Sequence, residues 1–237
     1  MRRVFAFAAV ALVLVATACR KQEGGTCKGN EQVCADKGHA LVCRAGTFAT
    51  VTCAGPLACS KFENHVNCDT SIGGPGDNCM GEDDEYACSP DKKQLVVCKK
   101  GRFETSLSCR GAGGCVMDGR IPNCDVSVGA KGEPCKKPET FACSEDGKQV
   151  LICKLGKLET FRYCRGVNGC VPNAKEGPAC DESLSLLGDP CGTPGQIGCS
   201  ADGKLELICQ GGVFTRSRAC KTGCTISTKN GRSVDCK

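Results

Sequence analysis

The sequence predicts a small, disulfide-rich, mainly β protein of four tandem modules, each a short antiparallel β meander tied by three disulfides. Three observations favour this fold class. First, 25 of the 237 residues are cysteine, a fraction typical of disulfide scaffolds. Second, 31 glycines and 10 prolines suit turns, whereas aromatic residues make up only 4% and Trp is absent, which excludes one large apolar core. Third, the cysteines recur at regular spacing. This chemistry also excludes the reducing cytosol.

The N-terminal residues, 1–18, have the pattern of a secretory signal peptide. Two arginines follow Met1, and an uncharged apolar run covers residues 4–16. That run is shorter than the ~20 residues that a transmembrane helix needs, so it is excluded from fold reasoning. No other segment approaches transmembrane length, and we therefore expect any membrane attachment to be through lipid.

Two cleavage patterns compete at the end of this segment, which reads Ala16-Thr17-Ala18-Cys19. The small residues at 16 and 18 suit ordinary signal peptidase, which would leave a secreted protein. The same residues resemble a bacterial lipobox, although Ala16 stands where Leu is usual. The resemblance implies that Cys19 carries the lipid and that residues 19–26 form a lipidated tether to the membrane.

Cysteine arithmetic supports the lipobox. The odd total of 25 leaves one cysteine without a disulfide partner in an oxidised monomer, and setting Cys19 aside leaves four sets of six. The first cysteine of each set recurs after 52, 56 and 56 residues, and ten residues always separate consecutive sets. The predicted modules are therefore 27–68, 79–124, 135–180 and 191–236. Their cysteines are Cys27, Cys34, Cys43, Cys53, Cys59 and Cys68; Cys79, Cys88, Cys98, Cys109, Cys115 and Cys124; Cys135, Cys143, Cys153, Cys164, Cys170 and Cys180; and Cys191, Cys199, Cys209, Cys220, Cys224 and Cys236.

Each module opens with a predicted first turn. Three modules begin with Gly, an acid, one residue and Cys, and their second cysteine is followed by Ser89, Ser144 or Ser200. A serine in this context caps the backbone of a turn. Asp146-Gly147 and Asp202-Gly203 then favour a two-residue hairpin turn, because both central residues of such a turn need positive φ.

The rest of the module predicts two more strands and a loop. A β-rich run leads to the third cysteine, and all four modules continue Cys-x-x-Gly-x-(Phe or Leu). The glycine predicts a second turn, and the apolar residue after it predicts a third strand that packs against the disulfides. These apolar residues are Phe48, Phe103, Leu158 and Phe214. A glycine-rich loop joins the fourth and fifth cysteines, and little helix is expected.

A module of this size buries too little surface to fold unaided. Three disulfides at ~2–4 kcal/mol each would stabilise it. Six cysteines allow 15 pairings, and the spacing does not choose among them. We expect bridges confined within modules, because each module has an even count, with the ten-residue connectors as short, partly ordered links.

The sequence shows no pattern that predicts a catalytic, metal or cofactor site. Zinc sites need closely spaced Cys pairs with further Cys or His, and only Cys220 and Cys224 lie that close. His39 and His65 are both in the first module, away from the recurrent serines, and are expected to be exposed. Residues 82–85 are acidic, but the equivalent residues of the third module include two lysines, which predicts a variable solvated loop rather than a calcium site.

Partners are only broadly constrained. The positive charges are dispersed, so no basic stripe predicts nucleic-acid binding. The order of cysteines, turn and strand is similar to that of small chitin-binding modules over about 25 residues per copy. That similarity implies a polysaccharide ligand, but such modules stack sugars on exposed aromatic rings, whereas Tyr86 and Tyr163 do not occupy equivalent positions.

The lipobox-like segment and the fourfold repeat together resemble cysteine-rich, repeat-containing surface lipoproteins of bacteria. The resemblance implies a non-enzymatic, lipid-anchored envelope protein, at the outer membrane or cell surface, that presents its modules for adhesion or recognition. The partner would be a glycan or a surface protein. Two alternatives stay open: a polysaccharide-binding array with a chitin-like or peptidoglycan-like ligand, and a secreted inhibitor or toxin-like effector.

Overall fold

The structure, a computed structural model, describes residues 21–63, 65–81, 84–172, 177–227 and 233–237. Within these ranges the chain forms short, mainly antiparallel β-strands joined by turns, and twelve disulfides tie them into four repeated modules. No residue in these ranges is helical. The predicted fold class is therefore confirmed.

Each of the first two modules pairs a three-stranded meander with a two-stranded hairpin. In the first module the meander is β1 (Gln32–Cys34), β2 (His39–Arg44) and β3 (Thr47–Thr52), and the hairpin is β4 (Cys59–Phe62) and β5 (His65–Cys68). In the second the meander is β6 (Tyr86–Cys88), β7 (Gln94–Lys99) and β8 (Arg102–Ser108), and the hairpin is β9 (Cys115–Asp118) and β10 (Ile121–Cys124).

The last two modules add a short parallel strand from the preceding connector. In the third module β11 (Val128–Gly129) lies beside the meander of β12 (Phe141–Ser144), β13 (Gln149–Lys154) and β14 (Lys157–Tyr163), with β15 (Cys170–Val171) and β16 (Ala179–Cys180) as the hairpin. In the fourth β17 (Leu184–Ser185) lies beside β18 (Ile197–Ser200), β19 (Leu205–Gln210) and β20 (Val213–Ala219), with β21 (Cys224–Ser227) and β22 (Ser233–Cys236). The connectors therefore extend the sheets of the modules that follow them.

The turn before each third strand matches its prediction. In the third module Leu155 and Gly156 have φ of 49° and 79°, the double positive φ of a two-residue hairpin turn. The equivalent pairs in the other modules also have positive φ at both residues: Ala45 and Gly46, Lys100 and Gly101, Gly211 and Gly212. Each third strand starts one residue before the Phe or Leu that recurs at this position of the repeat, as in Lys157 before Leu158.

The turn predicted at Asp146-Gly147 and Asp202-Gly203 is wrong in type. In the third module β12 ends at Ser144 and β13 starts at Gln149, and only the glycine, at φ 65°, has positive φ. The Asp146 side chain accepts a hydrogen bond from the Lys148 N–H at 3.0 Å instead. Asx-type bonding competes with the backbone pattern of a tight hairpin, so the loop opens to four residues.

The disulfides follow one pairing in all four modules: first to third, second to fifth, and fourth to sixth cysteine. In the second module these are Cys79–Cys98, Cys88–Cys115 and Cys109–Cys124. The remaining pairs are Cys27–Cys43, Cys34–Cys59 and Cys53–Cys68; Cys135–Cys153, Cys143–Cys170 and Cys164–Cys180; and Cys191–Cys209, Cys199–Cys224 and Cys220–Cys236. Two bridges per module thus tie the meander to the hairpin.

Each module has small cores built around its disulfides. In the second module Phe103 packs with Val96, Ala87 and the Cys79–Cys98 pair. The equivalent Phe48, Leu158 and Phe214 are also buried. The prediction that this side chain packs against the disulfides is therefore confirmed.

An aspartate after the sixth cysteine organises each of the three connectors. Asp125 accepts hydrogen bonds from the N–H groups of Gly113 at 2.8 Å and Ser127 at 3.0 Å, which joins the glycine-rich loop to the connector. Asp69 and Asp181 bond the equivalent N–H groups. A side chain at Gly111 would overlap the Asp125 carboxylate, so the close approach requires glycine there.

We expect Asp125→Ala to lower the free energy of local opening of this connector by about 1–2 kcal/mol, because two N–H groups lose a charged acceptor. Amide hydrogen exchange should show the Gly113 and Ser127 N–H groups exchanging roughly tenfold faster or more. The matched control is Asp118→Ala, an exposed aspartate in the preceding β9–β10 hairpin, which should leave both rates unchanged. Equal rates in wild type and Asp125→Ala would contradict a structural role for the carboxylate.

The same carboxylate makes the connector sensitive to acid. Desolvation opposes ionisation of Asp125, but hydrogen bonds from Gly113 and Ser127 outweigh it, so its pKa lies below the usual Asp value. Its stabilisation is therefore complete above the ordinary pKa of about 3.9 and is lost as pH falls through the lower, folded-state pKa. The protection of the connector N–H groups from hydrogen exchange, corrected for the intrinsic exchange rate, should fall between pH 5 and pH 2. The fall should be smaller in Asp125→Ala.

Candidate functional site

The predicted lipidation site, Cys19, and the predicted signal peptide lie outside the described residues. The other 24 predicted cysteines all lie in the described ranges, and they pair with one another in twelve disulfides. The two histidines are exposed, as predicted, and His39 lies 2.9 Å from an oxygen of Asp36.

The recurrent serines close turns, as predicted. The Ser144 hydroxyl accepts a hydrogen bond from the Gln149 N–H at 2.9 Å and donates one to Asp146 at 2.6 Å. Ser89 and Ser200 make the equivalent bonds. Each hydroxyl thus donates one hydrogen bond and accepts another within its own turn.

One group of metal-ligand side chains comes together in the described ranges: Cys79, Glu85 and Cys98. The two sulfur atoms are joined to each other as a disulfide and are not thiolate ligands. Glu85 accepts hydrogen bonds from the Met80 N–H and the Thr70 hydroxyl. This carboxylate therefore has a structural role between the first two modules. Two residues of the acidic loop, Glu82 and Asp83, lie outside the described residues.

Arginine and acid side chains join neighbouring modules. The arginine after the fourth cysteine of the second module, Arg110, contacts Glu133 of the following segment through Nε at 3.1 Å and Nη2 at 2.7 Å. It also bonds Glu145. The equivalent Arg165 contacts Asp189 at 2.8 and 3.3 Å. The second and third junctions therefore use equivalent residues: the arginine after the fourth cysteine of one module and the acid two residues before the first cysteine of the next.

The charges of these bridges reinforce each other. The hydrogen bond to Glu133 raises the pKa of Arg110, and the hydrogen bond to Asp189 raises the pKa of Arg165. Desolvation opposes ionisation of Glu133, but Arg110 and the Ala130 N–H outweigh it, so the Glu133 pKa is lowered. Both members of the bridge are thus charged at neutral pH, and paired arginine and carboxylate groups favour a defined module orientation.

The first junction uses a different arginine. The module before it has Ala54 at the Arg110 position, and Arg44 supplies the cation instead. Its guanidinium donates hydrogen bonds to the carbonyl oxygens of Gly101, at 2.6 Å, and Cys79. Asn78 adds a bond to the Thr50 carbonyl at 2.7 Å.

An apolar groove lies where the second and third modules meet. It has a volume of about 480 Å³, within the range of small-molecule sites. Its walls come from both modules, including Leu95 and Leu107 on one side and Val128, Phe141 and Leu158 on the other. A second hollow of about 510 Å³ adjoins it and shares Val126 and Phe141. Together they form the candidate functional site, which we call the middle groove.

Cations lie over three aromatic rings of the second and third modules, and one of these rings, Tyr86, lines the middle groove. Lys136 Nζ lies 5.2 Å from the centroid of the Tyr86 ring. The Arg165 guanidinium lies 4.7 Å from the Tyr163 ring, and that of Arg162 lies 5.2 Å from the Phe161 ring. Cation–π contacts therefore occupy ring faces that a sugar would otherwise stack on.

Sequence reasoning missed the middle groove and the connector aspartates. The aspartates left a signal, because a Cys-Asp-x-Ser motif begins at the sixth cysteine of three modules. The groove left none, because its walls come from strands far apart in sequence.

Within the described ranges, the structure contains no helix long and apolar enough to span a lipid bilayer. Comparison of the chain with protein-family models, with curated proteins and with solved structures found no match.

Proposed function

We propose that this chain is a non-enzymatic, lipid-anchored protein of the bacterial cell envelope that presents four docked disulfide modules for recognition. The observation that carries the proposal is the middle groove, whose walls come from two modules held together by the Arg110 bridges. A groove shared by two modules suits a binding role, because its shape depends on docking rather than on one reactive side chain.

The cysteine pairing supports the anchor. With twelve disulfides formed, Cys19 is the residue left for another chemistry, and it stands in the lipobox-like segment. The twelve bridges also support an extracytoplasmic location, since disulfides persist in oxidising compartments. Surface exposure at the outer membrane belongs to the same proposal.

Intact mass of the protein from a bacterial envelope tests the anchor. We expect loss of 18 residues, a lipid increment, and 24 hydrogens missing because of twelve disulfides. Metabolic labelling with an alkyne fatty acid should mark the wild type, and Cys19→Ser should abolish the label and release the protein from the membrane fraction.

A conservative neighbour provides the control for this labelling. Arg20→Lys changes the residue after Cys19 and should keep full labelling. An unlipidated wild-type mass with a free thiol at Cys19 would overturn the anchor and leave a secreted protein. An enzyme activity that His39→Ala or His65→Ala abolished would overturn the non-enzymatic part.

Polysaccharide binding is the second candidate, favoured by Tyr86 and Phe141 in the middle groove. Aromatic rings are the usual platforms for sugars, but Lys136 covers Tyr86. A glycan array with the mature protein separates the candidates, because saturable binding of a chitin-like or peptidoglycan-like oligosaccharide would favour the second.

A further inference from the structure

The three junctions between modules differ at the residue that follows the first cysteine. At the first junction this residue is Met80, which packs against the core of the preceding module. At the third it is Gly192, and the Arg162 guanidinium occupies the space where a side chain would lie. At the middle junction it is Lys136, which is exposed and lies over the Tyr86 ring. At this junction the residue lines the middle groove.

The second residue after the sixth cysteine shows the same difference. Thr70 is buried at the first junction and bonds Glu85. Glu182 is 2% exposed at the third, 3.6 Å from Arg162. Val126 at the middle junction is 42% exposed and lines both hollows of the middle groove. Two junctions are thus closed by polar pairs, whereas the middle one presents an apolar surface.

The chemistry of the middle groove is that of an amphiphile site. Its walls are mostly apolar, with Leu95 and Leu158 buried and Phe141 partly exposed. The one carboxylate in the lining, Glu133, is neutralised by Arg110. Lys136 and Lys137 line the groove and are exposed, so two cations stand at its rim.

We propose that the middle groove binds a free, single-chain fatty acid, with its acyl chain against the aliphatic walls and its carboxylate beside Lys136 and Lys137. This deepens the proposed function by naming the ligand class of its recognition site, and it rests on that function. Apolar walls favour the hydrocarbon, and charge complementarity selects the anionic head over a cationic or neutral one. The leucines and valines of the lining, together with a Tyr86 ring that Lys136 covers, favour an acyl chain over a sugar.

Calorimetric titration with octanoate, decanoate and dodecanoate tests the proposal. The protein is the full mature chain with Cys19→Ser, so that its own lipid cannot compete, and the ligands stay below their micelle concentrations. We expect one site and about fourfold tighter binding per added methylene, until the chain fills the groove. Dodecyltrimethylammonium, which has the same chain and the opposite charge, should bind at least tenfold more weakly.

Two substitutions locate the site. Lys136→Met places the residue of the closed first junction in the middle groove, and it should weaken dodecanoate binding at least tenfold by removing a cation and filling space. Lys131→Met removes an exposed lysine of the connector that precedes the third module; this lysine does not line the groove, and its loss should leave the affinity unchanged. Phe141→Ala should weaken dodecanoate more than octanoate, because a longer chain contacts more of the wall. Hydrogen exchange confirms that each variant is folded.

Several results would overturn this proposal: no saturable binding at any chain length, equal affinity for the cationic amphiphile, or unchanged affinity in Lys136→Met. Binding of a soluble oligosaccharide that Lys136→Met abolishes would assign the groove to a sugar instead. Failure here is distinguishable from failure of the proposed function, because labelling at Cys19 tests the anchor without any groove ligand.

Discussion

Removing the Cys88–Cys115 disulfide by a double substitution to alanine is expected to lower the free energy of unfolding of the second module by about 2–5 kcal/mol. This bridge joins β6 to β9, and it closes the longest loop of its module, with a sequence separation of 27. Without it, the meander and the hairpin are tied only by Cys109–Cys124. A module with such small cores has little other stabilisation to compensate.

Hydrogen exchange of the full chain, resolved by peptide, measures the effect module by module. Protection should fall in residues 86–124 and persist in residues 197–227, which belong to the fourth module. The equivalent pair Cys199–Cys224 provides the matched control, because its double alanine variant should shift the loss of protection to the fourth module. Uniform loss throughout the chain would instead mean that the four modules unfold as one cooperative unit.

Phe103→Ala is expected to destabilise the second module by about 3–5 kcal/mol. The ring is 2% exposed and packs with Val96, Ala87 and the Cys79–Cys98 pair, so its loss leaves a cavity beside a disulfide. The ring also lies against Gly73 of the connector, where a Cβ would come within 2.8 Å of it. Chemical unfolding and peptide-resolved exchange should both report the loss.

The third module supplies the control for this substitution. Leu158 occupies the equivalent position there and packs in the same way beside Gly129. We therefore expect Phe103→Leu to cost much less than Phe103→Ala. Equal losses for the two variants would show that the aromatic ring itself, rather than an apolar side chain of adequate volume, is required.

Local chemistry explains which parts of the fold the sequence predicts. The turn at Leu155-Gly156 depends on backbone conformations that few residues adopt, so the glycine is informative by itself. The turn at Asp146-Gly147 is different, because Ser144 and Asp146 offer side-chain hydrogen bonds to the same backbone. That competition decides the loop length, and a dipeptide pattern does not include it.

The pairing of the cysteines illustrates a second limit. Even numbers and regular spacing predict closed modules, and every bridge in the described part of the chain lies within one module. Which sulfur atoms meet depends on how the hairpin packs against the meander, as when β9 brings Cys115 to Cys88. Spacing along the chain contains no such information.

Counting and local periodicity are enough to predict the number of modules, the position of Cys19 outside the four six-cysteine sets, and the Phe or Leu that packs in each module. How the modules dock, and which surfaces come together at a junction, is visible only once the chain has folded. Met80, Lys136 and Gly192 stand at the same repeat position, yet they leave one junction open and two closed. These junctions differ because side chains from both modules fill the space between them. Arg162 and Gly192, for example, lie far apart in sequence but meet at the third junction.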